Sequence, residues 1–160
     1  MAPTGATDGT IIHGTALALE GQAVLLRGPA GAGKSDLALR ALGLPQSPLI
    51  KGRFELVADD QVVVHRTADG LTVAAPAPLK GLIEVRGVGI VAVRSTDSAR
   101  LVLLSDLTAS EGVERLPDPW PFETLLGVRV PVLRIAPLEA SAPLKLALAL
   151  AQRPWDEPLT

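Results

Sequence analysis

Residues 23–43 read AVLLRGPAGAGKSDLALRALG, and the order of patterns in this stretch decides the fold class. Ala23–Leu26 is an apolar run of strand length, and Gly28–Ser35 (GPAGAGKS) matches G-x-x-x-x-G-K-S. From Gly33 the period becomes helical, with Leu37, Ala38, Ala41 and Leu42 on one face, and Gly43 with Pro45 supplies the stop. Strand, glycine-rich loop and helix in this order make a P-loop, in which loop amides point inward around phosphate oxygens at a helix N-terminus. Gly28, Gly31 and Gly33 permit that backbone, and Pro29, Ala30 and Ala32 complete the cradle. Lys34 would reach the β- and γ-phosphates of a nucleotide, and the Ser35 hydroxyl would ligate Mg²⁺. A functionless Gly/Ala-rich turn shares the composition but not this placement.

Working outward, Ile11 and Ile12 lead into Thr15–Leu19, which Glu20-Gly21-Gln22 joins to the P-loop strand as a hairpin. Downstream, 44–53 has two prolines and no periodicity and reads as a connection. Short strands are predicted at Phe54–Ala58, Gln61–His65, Leu71–Ala74, Leu82–Val85, Ile90–Val93, Leu101–Leu104 and Val128–Ile135, with a closing helix at Leu144–Ala151. Residues 105–126, with Pro117, Pro119 and Pro121, read as irregular. The expectation is a single α/β domain over 1–160, a mixed sheet with flanking helices, whose residues 1–10 form a flexible N-terminus.

Composition narrows the function classes. A chain of 160 residues can bury one core, and its four aromatics (Phe54, Trp120, Phe122, Trp155) leave that core to Leu, Val, Ile and Ala. The absence of cysteine excludes disulfide, zinc–thiolate and thiol-nucleophile chemistry. A net charge of −2 with dispersed basic residues argues against nucleic acid, and no apolar run approaches the roughly 18 residues of a membrane span. The expected location is the cytoplasm.

Several further residues carry possible chemistry. Asp59 and Asp60 end an apolar strand about 25 residues beyond the P-loop, where one acid can hold metal and another accept a proton, or both are turn residues. Alternation places Glu84 and Arg86 on one side of a strand, either as a metal ligand with a phosphate contact or as an exposed salt-bridged face. His13 is either a packed or capping residue or a catalytic one, and His65 has a weaker claim. Arg115 is either a phosphate-sensing arginine or a surface charge.

Taken together, His13-Gly14, GPAGAGKS with Asp36 behind it, Leu56-Val57-Ala58-Asp59-Asp60 and Leu82–Gly89 resemble the HPr kinase/phosphorylase family, over Ile12 to Ala151. The resemblance implies a phosphoenolpyruvate carboxykinase-like fold and an ATP- and Mg²⁺-dependent kinase acting on a serine of the phosphocarrier protein HPr, regulating the phosphotransferase system. It implies that Asp60 is the general base, that Glu84 is a second metal ligand beside Ser35 and Asp59, and that His13 and Arg115 are active-site residues. It further implies a homo-oligomer, hexameric in the family. Only twelve residues precede His13, which resembles a short form without the family's N-terminal domain. Ala140-Ser141-Ala142-Pro143 stands where the family has a Gly-Arg-Asn segment associated with dephosphorylation, so the phosphorylase direction stays open. A P-loop small-molecule kinase and a nucleotide-sensing regulator without transfer are the competing readings.

Overall fold

A computed structural model describes residues 9–156. The chain runs β1 (Thr10–His13), β2 (Thr15–Leu19), β3 (Gln22–Arg27), α1 (Lys34–Leu42), β4 (Glu55–Ala58), β5 (Gln61–Thr67), β6 (Gly70–Ala74), β7 (Leu82–Val85), β8 (Gly89–Ala92), β9 (Ser98–Leu107), β10 (Phe122–Leu125), β11 (Val128–Ile135) and α2 (Ala142–Gln152). Of the flexible N-terminus expected for 1–10, all but Gly9 and Thr10 lies outside the described residues.

The predicted hairpin is the antiparallel pair β2–β3, turned at Glu20 and Gly21 with φ of 54° and 78°. Positive φ at both central residues is the type I′ geometry whose twist suits a two-residue hairpin. The main sheet runs β1-β5-β6-β9-β3-β2-β4, and β11 joins at β9 with β10 outside it. Strand β9 needs its ten residues because it serves several partners. One flank pairs with β3 over Arg100–Asp106, while the other takes β6 at Ser98–Arg100 and β11 at Leu104–Leu107.

Alternation along the central strands sends side chains into two cores. Leu17, Leu19, Val24 and Leu26 face α1 and α2, meeting Leu37, Ala38, Leu146 and Leu150, with the buried Phe54 ring beside them. Ala16, Ala18, Ala23 and Leu25 face the other way, against Val62, Val64, Leu71, Val73 and Val132. Among the described residues no helix contributes to that second core: the sheet curls so that β5 and β6 return over its own centre, and small alanines allow the close approach. Burial on both faces explains why β2 is buried at every position and reads as one apolar run. Among the described residues, no helix is long and apolar enough to cross a membrane.

Most predicted elements are present within a few residues, but 105–126 is more ordered than its prolines suggest. Strand β9 extends to Leu107, and Phe122–Leu125 forms β10 against β11. Strand β10 lacks an apolar face to betray it, being an edge strand of four residues whose Phe122 ring lies under the Arg129 guanidinium, 3.9 Å from its centroid.

Candidate active site

Strands β3, β4, β9 and β11 run parallel, so their C-terminal ends share one sheet edge. The loop at 28–33 leaves β3 at that edge and α1 starts behind it. Gly31 and Gly33 adopt φ of 82° and 103°, backbone that a side chain would strain, and no described side chain caps α1 at Gly33. The first amides of the helix are therefore left for an anion. Lys34 is buried, and its ammonium donates to the Gly28 carbonyl at 2.6 Å and the Pro29 carbonyl at 3.0 Å. Positive charge is thus held within the loop.

The two acids take different positions. Asp59 is buried at the end of β4, where its Oδ1 accepts from the hydroxyls of Thr15 and Ser35, both at 2.9 Å. Asp60 is the tip of the β4–β5 turn, with φ 71° and an amide-to-carbonyl bond of 2.9 Å from Gln61 back to Asp59. A three-residue turn with positive φ is a rare and strained conformation that Asp tolerates better than most residues. It directs the Asp60 carboxylate outward, 3.2 Å from His13 Nδ1, with both side chains more than half exposed.

Glycine at position 14 makes this pairing possible. Its amide donates to the Asp60 carbonyl at 3.1 Å, and a Cβ there would lie 2.7 Å from the Leu26 carbonyl oxygen and 3.0 Å from Leu25 Cδ1. Gly14→Ala is expected to cost about 1–3 kcal/mol of stability in urea unfolding, since the backbone oxygen cannot yield as a side-chain end would. A parent-like midpoint would show that the β1–β2 connection relaxes freely.

Glu84 is placed less directly. The β7–β8 hairpin is anchored to β4 through the Leu56 amide, bonded to the Arg94 carbonyl at 2.9 Å, and the Thr96 amide, bonded to the Leu56 carbonyl at 3.0 Å. This brings the Glu84 backbone N–H within 3.5 Å of Asp59 Oδ2, while its own side chain is exposed on the opposite side from Ile83. Among the described residues, no three of His, Cys, Asp and Glu form a metal-holding group. Arg115 is exposed between β9 and β10 and makes no hydrogen bond or ion pair to a described residue.

Sequence reasoning missed an ion cluster beneath the loop. Arg27, the residue before Gly28, spans Asp106 of β9 at 2.7 and 3.0 Å and Glu123 of β10 at 2.5 and 3.0 Å. The guanidinium holds the Glu123 carboxyl below its usual range, and the bonds it donates to Glu123 and Asp106 in turn raise the pKa of Arg27. The partners are 79 and 96 residues from Arg27 in sequence, so no local pattern could reveal them. The cluster ties the root of the P-loop to the strand that follows the Arg115 segment. Thr15 was missed likewise, because in sequence it is one polar residue in an apolar strand.

The chain is similar to known proteins over most of its length. The family model described as HPr Serine kinase C-terminal domain matches residues 6–148. The chain is 36% identical to the HPr kinase/phosphorylase of Bordetella pertussis over 149 residues, covering 85% of this chain and 44% of that protein. It is 37% identical to the protein of the same name from Exiguobacterium sibiricum over 103 residues, covering 64% of this chain and 29% of that one. The chain therefore spans less than half the length of these curated relatives. A solved structure, the Hpr(Ser) kinase/phosphatase from Coxiella burnetii, superposes with a TM-score of 0.73 at 24% identity, covering 90% of each chain, which shows the shared fold. With the P-loop, the paired acids and the His13-Gly14 connection all inside the matched span, this chain belongs to the HPr serine kinase C-terminal domain family.

Proposed function

We propose that this chain transfers the γ-phosphoryl group of ATP to a serine hydroxyl of HPr, with Mg²⁺ as cofactor, and so regulates the phosphotransferase system. The observation that carries the reading is the division of labour between adjacent acids: Asp59 is bonded to the P-loop serine, while Asp60 faces outward beside His13. The donor set fits the two ligands. Uncapped amides at the start of α1 suit phosphate, and Ser35 Oγ with the Asp59 carboxylate are the hard oxygen donors that Mg²⁺ takes. When bound, Mg²⁺ supplies charge neutralisation for the phosphate oxygens. Glu84, joined to Asp59 through its amide, is proposed as a further ligand.

The chain's own residues supply the rest. Loop amides and Lys34 hold the phosphates and stabilise the transferring charge. Asp60 accepts the serine proton as the serine oxygen bonds to phosphorus and the bond to the ADP leaving group breaks. Its exposure lets a side chain from another protein reach it, and His13 fixes its orientation. Arg115, on the segment that Glu123 and Arg27 anchor, is assigned to the phosphoryl charge. The same reading gives a cytoplasmic homo-oligomer.

Incubation with ATP, Mg²⁺ and HPr is expected to add one phosphate to HPr by intact mass, and none when the acceptor serine is replaced by alanine. Unmodified HPr alongside ATP turnover on a metabolite would favour a small-molecule kinase. Nucleotide binding without any phosphorylated product would favour a sensor.

A further inference from the structure

The residue that precedes the phosphate loop holds both ends of the Arg115 segment. Residues 108–121 leave the sheet at the end of β9 and re-enter it at β10, with Arg115 and the 83% exposed Leu116 between. Asp106 is the last but one residue of β9 and Glu123 the second of β10, so each stands at one foot of this excursion. The Arg27 guanidinium forks both carboxylates, with two hydrogen bonds to each. Arg27 is itself the last residue of β3, and Gly28 opens the loop. One planar group therefore links the phosphate cradle to both feet of the segment.

Sheet pairing does not make this connection by itself. Arg27 faces Asp106 across the β3–β9 ladder, but among the described residues β10 pairs with β11 and with neither β3 nor β9. Strand β11 is shared, giving Val132–Ile135 to β9 and Val128–Pro131 to β10. The guanidinium thus supplies a tie that the backbone ladders lack. Electrostatics shows what the cluster does not serve. Two carboxylates next to an anion-binding loop oppose phosphate binding, and one guanidinium leaves the cluster net negative. Phosphate affinity therefore does not account for it. Nor does global stability, because ion pairs between side chains 23%, 39% and 44% exposed add little. What the fork supplies is geometry.

Arg115 makes no hydrogen bond or ion pair to a described residue, so its place relative to the loop depends on how the segment's ends are held. Ser110 near one foot and Trp120 near the other have contacts of their own, to Glu139 and to Trp155 beyond α2, and neither partner belongs to the loop. We propose that Arg27, through Asp106 and Glu123, is a positioning residue for phosphoryl transfer: its fork fixes the segment so that Arg115 meets the charge of the transferring group. The inference rests on the kinase reading and on the place that reading gives Arg115. It requires the planar fork, since a lysine ammonium is a point charge that cannot clasp two carboxylates at fixed geometry.

The test is a double-mutant cycle on the full chain, read in HPr phosphorylation with ATP and Mg²⁺. Nucleotide affinity is titrated with the β,γ-imido analogue of ATP, and melting curves are recorded alongside. Glu123→Gln releases one foot while Arg27 keeps Asp106. Its kcat should fall by about tenfold or more, the scale of a modest misplacement, while nucleotide affinity holds or tightens because a negative charge is gone. Arg27→Lys keeps the charge but not the fork and should reproduce the loss of kcat, so the outcome does not hang on one variant. In an Arg115→Gln background, Glu123→Gln should cost no more than about twofold further, because the group it misplaces is already absent. Multiplicative losses in the double variant, a parent-like kcat in Glu123→Gln, or full activity in Arg27→Lys overturns the inference. So does a loss of kcat in both variants that tracks weakened nucleotide binding or unfolding at the assay temperature, which marks a structural role. A parent that leaves HPr unmodified fails the kinase reading, and Arg115→Gln at the parent rate fails the assignment of that arginine; each takes the inference with it.

Discussion

Asp60→Asn is expected to slow phosphoryl transfer to HPr by about 10²–10⁴-fold, the range for loss of a positioned general base. Nucleotide affinity should remain within about twofold of the parent, because the P-loop contacts do not involve this side chain. Asparagine is nearly isosteric, tolerates the φ of 71° at this turn, and keeps an oxygen to accept from His13 Nδ1, so folding is preserved. It cannot take up the serine proton. Single-turnover assays with HPr, paired with nucleotide titration and a melting curve, separate these effects. Transfer at the parent rate would remove Asp60 from the base role, and a lowered melting point would locate the effect in the turn rather than in the chemistry.

Asp59 should respond differently, and two substitutions distinguish its structural from its ligand role. Asp59→Ala deprives the Thr15 and Ser35 hydroxyls of their acceptor, and Thr15 is only 1% exposed, so water cannot readily replace it. A cost of about 1–3 kcal/mol is expected for leaving a buried donor unpaired. Asp59→Asn retains an accepting oxygen and should unfold at a urea midpoint between those of the parent and the alanine variant. Both lose the negative charge, and both should weaken Mg²⁺-dependent nucleotide binding by about tenfold or more. Equal stability of the two variants would contradict the hydroxyl-acceptor account. Parent-like Mg²⁺ dependence in Asp59→Asn would exclude Asp59 as a ligand.

The contrast between these adjacent acids shows what local sequence can and cannot convey. Their proximity to the P-loop is legible because an acid pair after an apolar strand is a recognisable signal, and β4 runs parallel to β3. Their separate environments are not legible. Asp59 is buried because β2 presents Thr15 to it from 44 residues away, while Asp60 is exposed because it sits at a turn of positive φ. Glu84 illustrates the same limit: alternation correctly separates it from Ile83, yet its link to Asp59 is through the backbone, which no side-chain pattern encodes. The Arg27–Asp106–Glu123 cluster lies wholly beyond local reading, since each partner taken alone is one charge at the end of a strand.

By itself the sequence determined the elements whose causes are local. Apolar alternation set the strands of the hairpin, glycines at 21, 31 and 33 allowed the turns and the loop, and helical period with Gly43 bounded α1. It also carried the family's motifs, because their chemistry needs particular residue types at fixed spacing. Only the tertiary structure decided which side of the P-loop holds the acids, that β10 exists at all, and that Arg27 joins three strands. Those outcomes depend on strand order and on the curl of the sheet. Strand order is settled by long-range pairing that buries both faces of β2 and β3, a free-energy balance over the whole core that no single segment contains.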